Sequence, residues 1–359
     1  MKTLLFTGAG GTPTTNFVRS LKLTSEKFKF IGVDCNKYYI QRAETDVKDM
    51  VPKANEPDYI EVLNDLIAEH GVDFLYASPD PEIPIISENR NKINTKVFLP
   101  AHETIVTCFN KFLSFEKWEK AGIKVPGTLM LKDEDDLKEA FKRWDKVWVR
   151  DTVGAAGKGS LPTDDYESAK TWLDFKRGWG KYSAADCLTP KSITWQSIWK
   201  DGKLIVAQGR ERMYWEFADR APSGITGITG TGVTMADPVL DEIAQKSILA
   251  IDDKPNGIFS VDLTYDKQNV PNPTEINIGR FFTTNLFFST AGLNMPYIYT
   301  KTAFDEESEL DIPVKINPLP IGKAWVRGMD FNPILTDIST IDSFEDKLSQ
   351  RRKKLNDKQ

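Results

Sequence analysis

The chain has 359 residues, 40% of them hydrophobic and 28% charged, with a net charge of −5. That length accommodates two or three subdomains, each with its own core; the acidic balance argues against a nucleic-acid partner, and no run approaches the roughly 20 apolar residues that cross a bilayer. Cys35, Cys108 and Cys187 are far apart and odd in number, the pattern of reduced thiols in a cytoplasmic protein, and with only His70 and His102 there is neither a zinc spacing nor a serine or cysteine triad.

Chemistry must therefore run on carboxylates, cationic side chains, amides and backbone. The start MKTLLFTGAGG has an apolar run that ends at Phe6 and enters a Gly turn, so it reads as a first strand and not as a signal peptide. A helix follows from about Thr14 to Leu23, and FKFIGVD is a second strand ending at Asp34. Gly8 and Gly10 begin a G-x-G-x-x-G dinucleotide fingerprint with Asp34 where a ribose acid belongs, but Pro13 occupies the third Gly position.

The alternation continues through a helix from about Asp58 to His70, a strand VDFLYAS, a helical PIISENRNKI and a strand KVFL. Repeated βα units predict a parallel, doubly wound sheet over the first hundred residues. Asp80 and Glu82 leave a strand end where open α/β sheets bind ligands, although loop acids are ordinarily just solvated. A helix from about Asn110 to Ala121, the charged helix DEDDLKEAFKRW and the strand KVWVR come next.

RDTVGAAGKGS, residues 150 to 160, does not fit a Walker A loop. A Gly-rich segment after a strand can still cover phosphates with backbone N–H groups, Arg150 and Lys158 adding positive charge; a plain surface loop is the competing reading. SAADCLTP and ITWQSIWKDGKLIVAQGRER give a short strand and then a pair joined at Asp201 and Gly202, with Arg210 and Arg212 on one face of the second. Two such guanidiniums bind an anion or lie on a solvated edge. PSGITGITGTGVT reads as a mobile loop beside a ligand site, and a helix from about Pro238 to Ile251 follows.

The segment Gly257 to Phe281 is the centre of the reading. Phe259, Val261, Leu263 and Tyr265 alternate with polar residues, and after Pro271 and Pro273 the run TEINI alternates again. Paired as a hairpin, the two runs place Asp262, Glu275 and Asn277 on one face with Arg280 just beyond, a patch suited to a hard cation such as Mg2+, which takes a few protein oxygens and leaves room for water and phosphates. The wetted face of an ordinary hairpin gives the same pattern. Beyond it, FTTNLFFSTAGLNMPYIYTKTAF reads as helix and loop, KAWVRGM as a strand, and QRRKKLNDK as a solvated helix end.

The order of NKFLSFEKWEKAGIKVPGT, VWVRDTVGAAGKGS, SAADCLTP, the paired strands through RER, and VDLTYD with EINIGRF resembles the ATP-grasp superfamily, in its carbamoyl-phosphate-synthase-like and carboxylate–amine ligase branch. The resemblance implies an α/β and α+β chain: a doubly wound βα domain over residues 1–105, an ATP-grasp N-terminal lobe over 106–182, a C-terminal lobe over 183–310 and an extension over 311–359. It further implies that Lys111 and Arg150 reach the nucleotide phosphates, that Gly154, Gly157, Lys158 and Gly159 belong to the loop over them, and that Asp186, Cys187 and Leu188 meet the adenine. Asp262, Glu275 and Asn277 would carry Mg2+, or Mn2+ in its place, and Arg280 with Arg210 or Arg212 would hold the phosphoryl group or the carboxylate. One departure is that ITWQSIW presents Ile193 and Ser197 where the family commonly has a ribose acid.

The expected activity is ATP- and Mg2+-dependent joining of a small carboxylate to an amine, in a cytoplasmic protein without membrane attachment and by default a homodimer. Phosphorylation of carbamate or carboxylate without amide formation, a nucleotide-binding module without catalysis, and an NAD(P)-dependent oxidoreductase are the alternatives.

Overall fold

The computed structural model describes every residue except 155, 156, 333, 358 and 359. Five parallel strands, β1 (Lys2–Phe6), β2 (Phe28–Asp34), β3 (Val47–Met50), β4 (Phe74–Tyr76) and β5 (Lys96–Val97), form the first sheet in the order β3-β2-β1-β4-β5. Leu4, Leu5 and Phe6 are all fully buried, as the apolar run of a strand covered on both faces requires. Strand order reverses at β1, so the loops after β1 and β4 diverge and open a crevice between them. The helix Thr12–Lys22 begins with Pro13 in its first turn, and Tyr59–His70 stops on Gly71 at φ 60°, the left-handed ending that Gly permits.

The second sheet is antiparallel: β6 (Thr128–Leu131), β7 (Val147–Asp151), β8 (Leu161–Thr163) and β9 (Tyr182–Asp186), in the order β6-β9-β7-β8. Helices Glu134–Arg143 and Tyr166–Lys176 cover it around Leu131, Leu137, Val147, Val149 and Leu173. β9 pairs with both β6 and β7, so Tyr182–Asp186 is a strand of this sheet. The helix His102–Phe109 runs through residue 105.

The third sheet, also antiparallel, runs β14-β13-β10-β11-β12-β15, from β10 (Ser192–Lys200), β11 (Lys203–Arg212), β12 (Thr231–Met235), β13 (Gly257–Tyr265), β14 (Pro271–Ile278) and β15 (Ala324–Val326). The helix Pro238–Leu249, capped by Asp237, packs on one face. Two expectations fail here. The end of PSGITGITGTGVT, read as a loop, falls in the strand Thr231–Met235, which pairs with both β11 and β15. The basic tail is no solvated end either: the helix Ile338–Asn356 returns to the first domain, buries Phe344, Leu348 and Leu355, and sets Arg351 against Asp49, Asp65 and Glu69 and Arg352 against Glu56 and Asp58. Helices Asn285–Thr290 and Met295–Ala303 join the third sheet to the first domain, where Asn16 Nδ2 donates to the Thr283 carbonyl (2.8 Å) and Ser289 Oγ to Ser20 Oγ (2.8 Å). Among the described residues no helix is long and apolar enough to cross a membrane.

Candidate active site

The three sheets enclose a cavity of about 1300 Å³. Its floor is one row of side chains running straight across four strands: Arg210 on β11 pairs with Thr194 on β10, Thr194 with Asp262 on β13, and Asp262 with Glu275 on β14. Directly opposed residues on one sheet face lie within contact of each other, so the ladder itself brings these groups together. β14 is an edge strand, where Pro271 and Pro273 are tolerated without a donor N–H. The register slips between Asp262 and Leu263, leaving Thr274 as the extra residue; its Oγ1 donates to the Asp262 carbonyl (3.0 Å) and its carbonyl accepts from Arg150 Nη2 (3.0 Å).

Asp262, Glu275 and Asn277 do converge. Asn277 Nδ2 donates to Asp262 Oδ2 (3.1 Å), Thr194 Oγ1 donates to Asp262 Oδ1, and Lys111 Nζ lies 3.8 Å from Glu275 Oε2 while donating to the Gly154 carbonyl. Burial holds the Asp262 carboxyl above its ordinary range despite nearby Arg212. Burial acts in the same sense on Glu275, but Lys111 and Arg150 outweigh it and hold that carboxyl below the usual range. Two facing carboxylates out of bulk water repel, and a divalent ion between them relieves this. Two carboxylates with an adjacent amide fit Mg2+, which needs no third acid; among the described residues no group of three or more His, Cys, Asp or Glu could hold a metal ion.

Arg210 and Arg212 lie on an interior strand, so the solvated-edge alternative fails for both. Arg210 is 1% exposed; it donates to Thr284 Oγ1 (2.6 Å) and Thr194 Oγ1 (2.7 Å), stacks on Phe282, and its Nε has no partner. Burial and the neighbouring Arg212 bring its pKa down to about 9. Arg212 lies over the Trp215 ring at 3.7 Å, donates to Thr229, Ser192 and Thr194, and reaches Asp262 at 3.7 Å. Arg280 pairs with Asp80 from the first domain through Nε and Nη2, and Nη2 also donates to Asn277 Oδ1 (3.0 Å). A buried guanidinium without a carboxylate, above a row that ends in carboxylates, is suited to an anion that itself carries a cation.

Gly154, Gly157, Asp186, Cys187 and Leu188 line the cavity, as do Lys111 and Arg150. The Asp186 and Cys187 amides already donate to the Gly127 and Lys146 carbonyls. Gly157 sits at φ 65°, where an added Cβ would meet the Ile225 carbonyl at 2.7 Å, so the Gly-rich loop and the 213–230 loop close on each other there. Lys158 and Gly159 are not brought into the cavity: Lys158 is exposed, and Gly159 is packed under the Asp151 carboxylate. Residues 155 and 156 of the expected phosphate cover lie outside the described residues.

Ile193 and Ser197, weighed as ribose positions, face away from the cavity; Ser192 and Thr194 face it instead. The Gly8 turn does not present a free ribose acid, because Asp34 accepts the Gly10 (3.1 Å) and Asn36 (2.9 Å) amides and so pins its own loop. Sequence reasoning missed Thr194 and Trp215, and it read Asp80 as a loop acid without its partner Arg280. Thr194 carried a signal: it lies at the same phase of β10 as Arg210 and Arg212 do on β11.

Residues 4–98 match a family model described as the PylC-like N-terminal domain. A search of curated proteins finds no match. Among solved structures, the chain is similar to biotin carboxylase from Campylobacter jejuni in a β-γ-ATP complex, at 17% identity and a TM-score of 0.64 over 88% of this chain and 72% of that one. It is similar to carboxyaminoimidazole ribonucleotide synthase from Aspergillus clavatus complexed with ATP, at 14% and 0.64 over 90% and 80%, and to L-amino acid ligase from Bacillus licheniformis, at 14% and 0.65 over 86% and 76%.

Proposed function

The chain has the ATP-grasp fold, a doubly wound first domain followed by two antiparallel lobes, and from that premise we propose that it is an ATP- and Mg2+-dependent ligase joining a small carboxylate to an amine, with release of ADP and phosphate. The observation that carries this reading is the row Arg210, Thr194, Asp262, Glu275 in one cavity with Gly154 and Gly157. ATP and Mg-ADP complexes among the structural neighbours support the choice of cofactor.

A carboxylate is a poor electrophile at neutral pH. Transfer of the γ-phosphoryl group converts it to an acyl phosphate with a good leaving group, and such a transfer needs positioning and charge compensation more than acid–base work. Asp262, Glu275 and Asn277 would hold Mg2+, which supplies charge neutralisation between the nucleotide's terminal phosphates. Lys111 and Arg150 approach from the Gly-rich side, while Arg210, Arg212 and Arg280 compensate negative charge at the transferring group and the carboxylate. The strand end at Asp186–Leu188, beside Trp148 and Pro190 in the cavity wall, receives the adenine. A cytoplasmic enzyme, homodimeric by default, completes the reading.

The test is ADP formation with MgATP across a panel of amino acids and simple carboxylic acids, each paired with amines. Carboxylate-dependent ADP release is the expected outcome. Nucleotide binding with no release across the whole panel would leave a silent nucleotide-binding module.

A further inference from the structure

One wall of the cavity belongs to the first domain. It contains three carboxyl groups: Asp34 at the end of β2, Asp80 on the turn after β4, and Glu82 at the start of the short helix that follows that turn. Asp34 accepts backbone amides on both oxygens, and Asp80 is locked to the Arg280 guanidinium. Glu82 is engaged only by neutral hydroxyls, those of Tyr59 and Thr7, and although 4% exposed it borders the same cavity as Arg280.

The turn fixes Glu82 relative to the phosphoryl side. Pro79 and Pro81 flank Asp80, and the Glu82 amide donates to the Pro79 carbonyl (2.9 Å), so the residue that grips Arg280 and Glu82, which borders the cavity, are held in one rigid unit. The Glu82 carboxyl in turn accepts the Tyr59 hydroxyl on Oε2 (2.9 Å) and interacts with the Thr7 hydroxyl. The charged and titratable groups around it are Asp34 and the Cys35 thiol from the end of β2, Tyr59 from its helix, and Asp80 on the preceding turn, which carries Arg280 from beyond β14; Lys53 acts on the same Cys35 thiol. Burial raises the Glu82 carboxyl to about 7, although Thr7 and Tyr59 pull it down.

Building on the ligase reading, we infer that Glu82 is the proton acceptor for the amine substrate, and that the amine enters from the first-domain side of the cavity. At neutral pH a primary amine arrives as an ammonium ion, which has no lone pair with which to attack. Its N–H proton passes to the Glu82 carboxylate, giving the neutral amine and the carboxylic acid. The nitrogen lone pair then forms the C–N bond at the acyl carbon, the C–O bond to phosphate breaks, the electron pair leaves with phosphate, and the second proton goes to that phosphate. A base that titrates close to the working pH is the best compromise between being ionised and being basic. The two donors, Tyr59 and Thr7, favour the ionised form that must be present when the ammonium docks.

The experiment compares the wild-type chain with Glu82→Gln, using MgATP, the carboxylic acid panel, and two kinds of nucleophile: primary amines and amino acids that are protonated at neutral pH, and hydroxylamine, which is not. We expect the variant to lose about 10²–10⁴-fold in kcat/KM for the protonated amines, the range over which a positioned acid or base acts, and to lose the acidic limb of the pH profile. Hydroxylamine should rescue the variant, read as hydroxamate. A second variant, Tyr59→Phe, removes a donor to the ionised carboxyl and should move the acidic limb to higher pH. An unchanged pH profile and amine rate in Glu82→Gln would overturn the role of Glu82 while leaving the ligase standing. Absence of both hydroxamate and ADP from the wild-type chain with every acid would overturn the ligase reading, and this inference with it.

Discussion

Replacing Arg210 by Met should inactivate the protein without destabilising it. Arg210 is 1% exposed, has no carboxylate partner, and leaves Nε without an acceptor. Its pKa, brought down from the ordinary arginine value to about 9, corresponds to a penalty of about 5 kcal/mol for keeping the charge in place. Because the folded value lies below the ordinary one, that penalty is fully present below pH 9 and disappears only as pH rises toward the ordinary arginine value, so a neutral-pH measurement reads all of it. Methionine is of similar length and can lie on the Phe282 ring, whereas Thr284 loses a partner; replacing a buried ion by an apolar isostere stabilises by about 1–4 kcal/mol, and the lost hydrogen bond offsets about 1. With an unfolding entropy of about 2.1 cal/mol/K per residue, each kcal/mol raises the thermal midpoint by about 1.3 °C, so the net gain of about 0–3 kcal/mol gives a midpoint that is not lowered and rises by up to about 4 °C. Differential scanning fluorimetry reads the midpoint and a coupled assay reads ADP. A lower midpoint with turnover retained would show that Arg210 serves the fold and not an anion.

Glu275→Gln keeps the shape of the row but removes the charge facing Asp262; ADP release should fall by about 10²-fold or more, with less than about 1 kcal/mol lost in denaturant titration. Glu82, raised to about 7 in the fold, contributes stability that is full below the ordinary glutamate value near 4.5 and is lost as pH rises through 7, about 3 kcal/mol in all. Urea midpoints of Glu82→Gln should therefore be flatter than wild type between pH 5 and 8. Arg351→Met removes the cation that Asp49, Asp65 and Glu69 share on the first domain, and should lower stability by about 1–3 kcal/mol and expose the C-terminal helix to proteolysis first.

The elements that could be read from sequence were those whose pattern is local. Strand β13 alternates along its own length, and the period-two rule alone places Asp262 on the face opposite Val261 and Leu263. The convergence of Asp262 with Glu275 needed only the pairing of neighbours in sequence. Thr194 and Arg210 were harder to place, because their position in the same row depends on β10 being inserted between β11 and β13, a sheet order that periodicity does not encode. Asp80 was visible as a loop acid, but its partner Arg280 is 200 residues away, and nothing in either segment announces the other. The 231–235 strand was lost because its Gly and Thr content suggests a loop, while its pairing with β11 and β15 is a tertiary fact. The basic tail misled for a similar reason: lysines and arginines on a helix are ordinarily solvated, and only the acidic surface of the first domain makes Arg351 and Arg352 an anchor.

The charges on the row and its immediate partners decide what ligand belongs there. Arg210, Arg212, Lys111, Arg150 and Arg280 face Asp262, Glu275 and Asp80, so this part of the wall is positive overall yet has two facing carboxylates at one end. A bare nucleotide satisfies the cations but sets its phosphates against Asp262 and Glu275; at an effective dielectric constant of about 20, two unit charges 4 Å apart interact by about 4 kcal/mol. A nucleotide carrying a divalent ion satisfies both ends. MgATP should therefore bind at least about tenfold more tightly than ATP in EDTA, a gap of 1.4 kcal/mol that takes only part of that repulsion, and NADPH should not raise the thermal midpoint at all. Titration calorimetry measures the first comparison and fluorimetry the second. Equal affinities with and without Mg2+ would mean that Asp262 and Glu275 do not meet the phosphates, and the row would then be only a structural ladder of polar side chains.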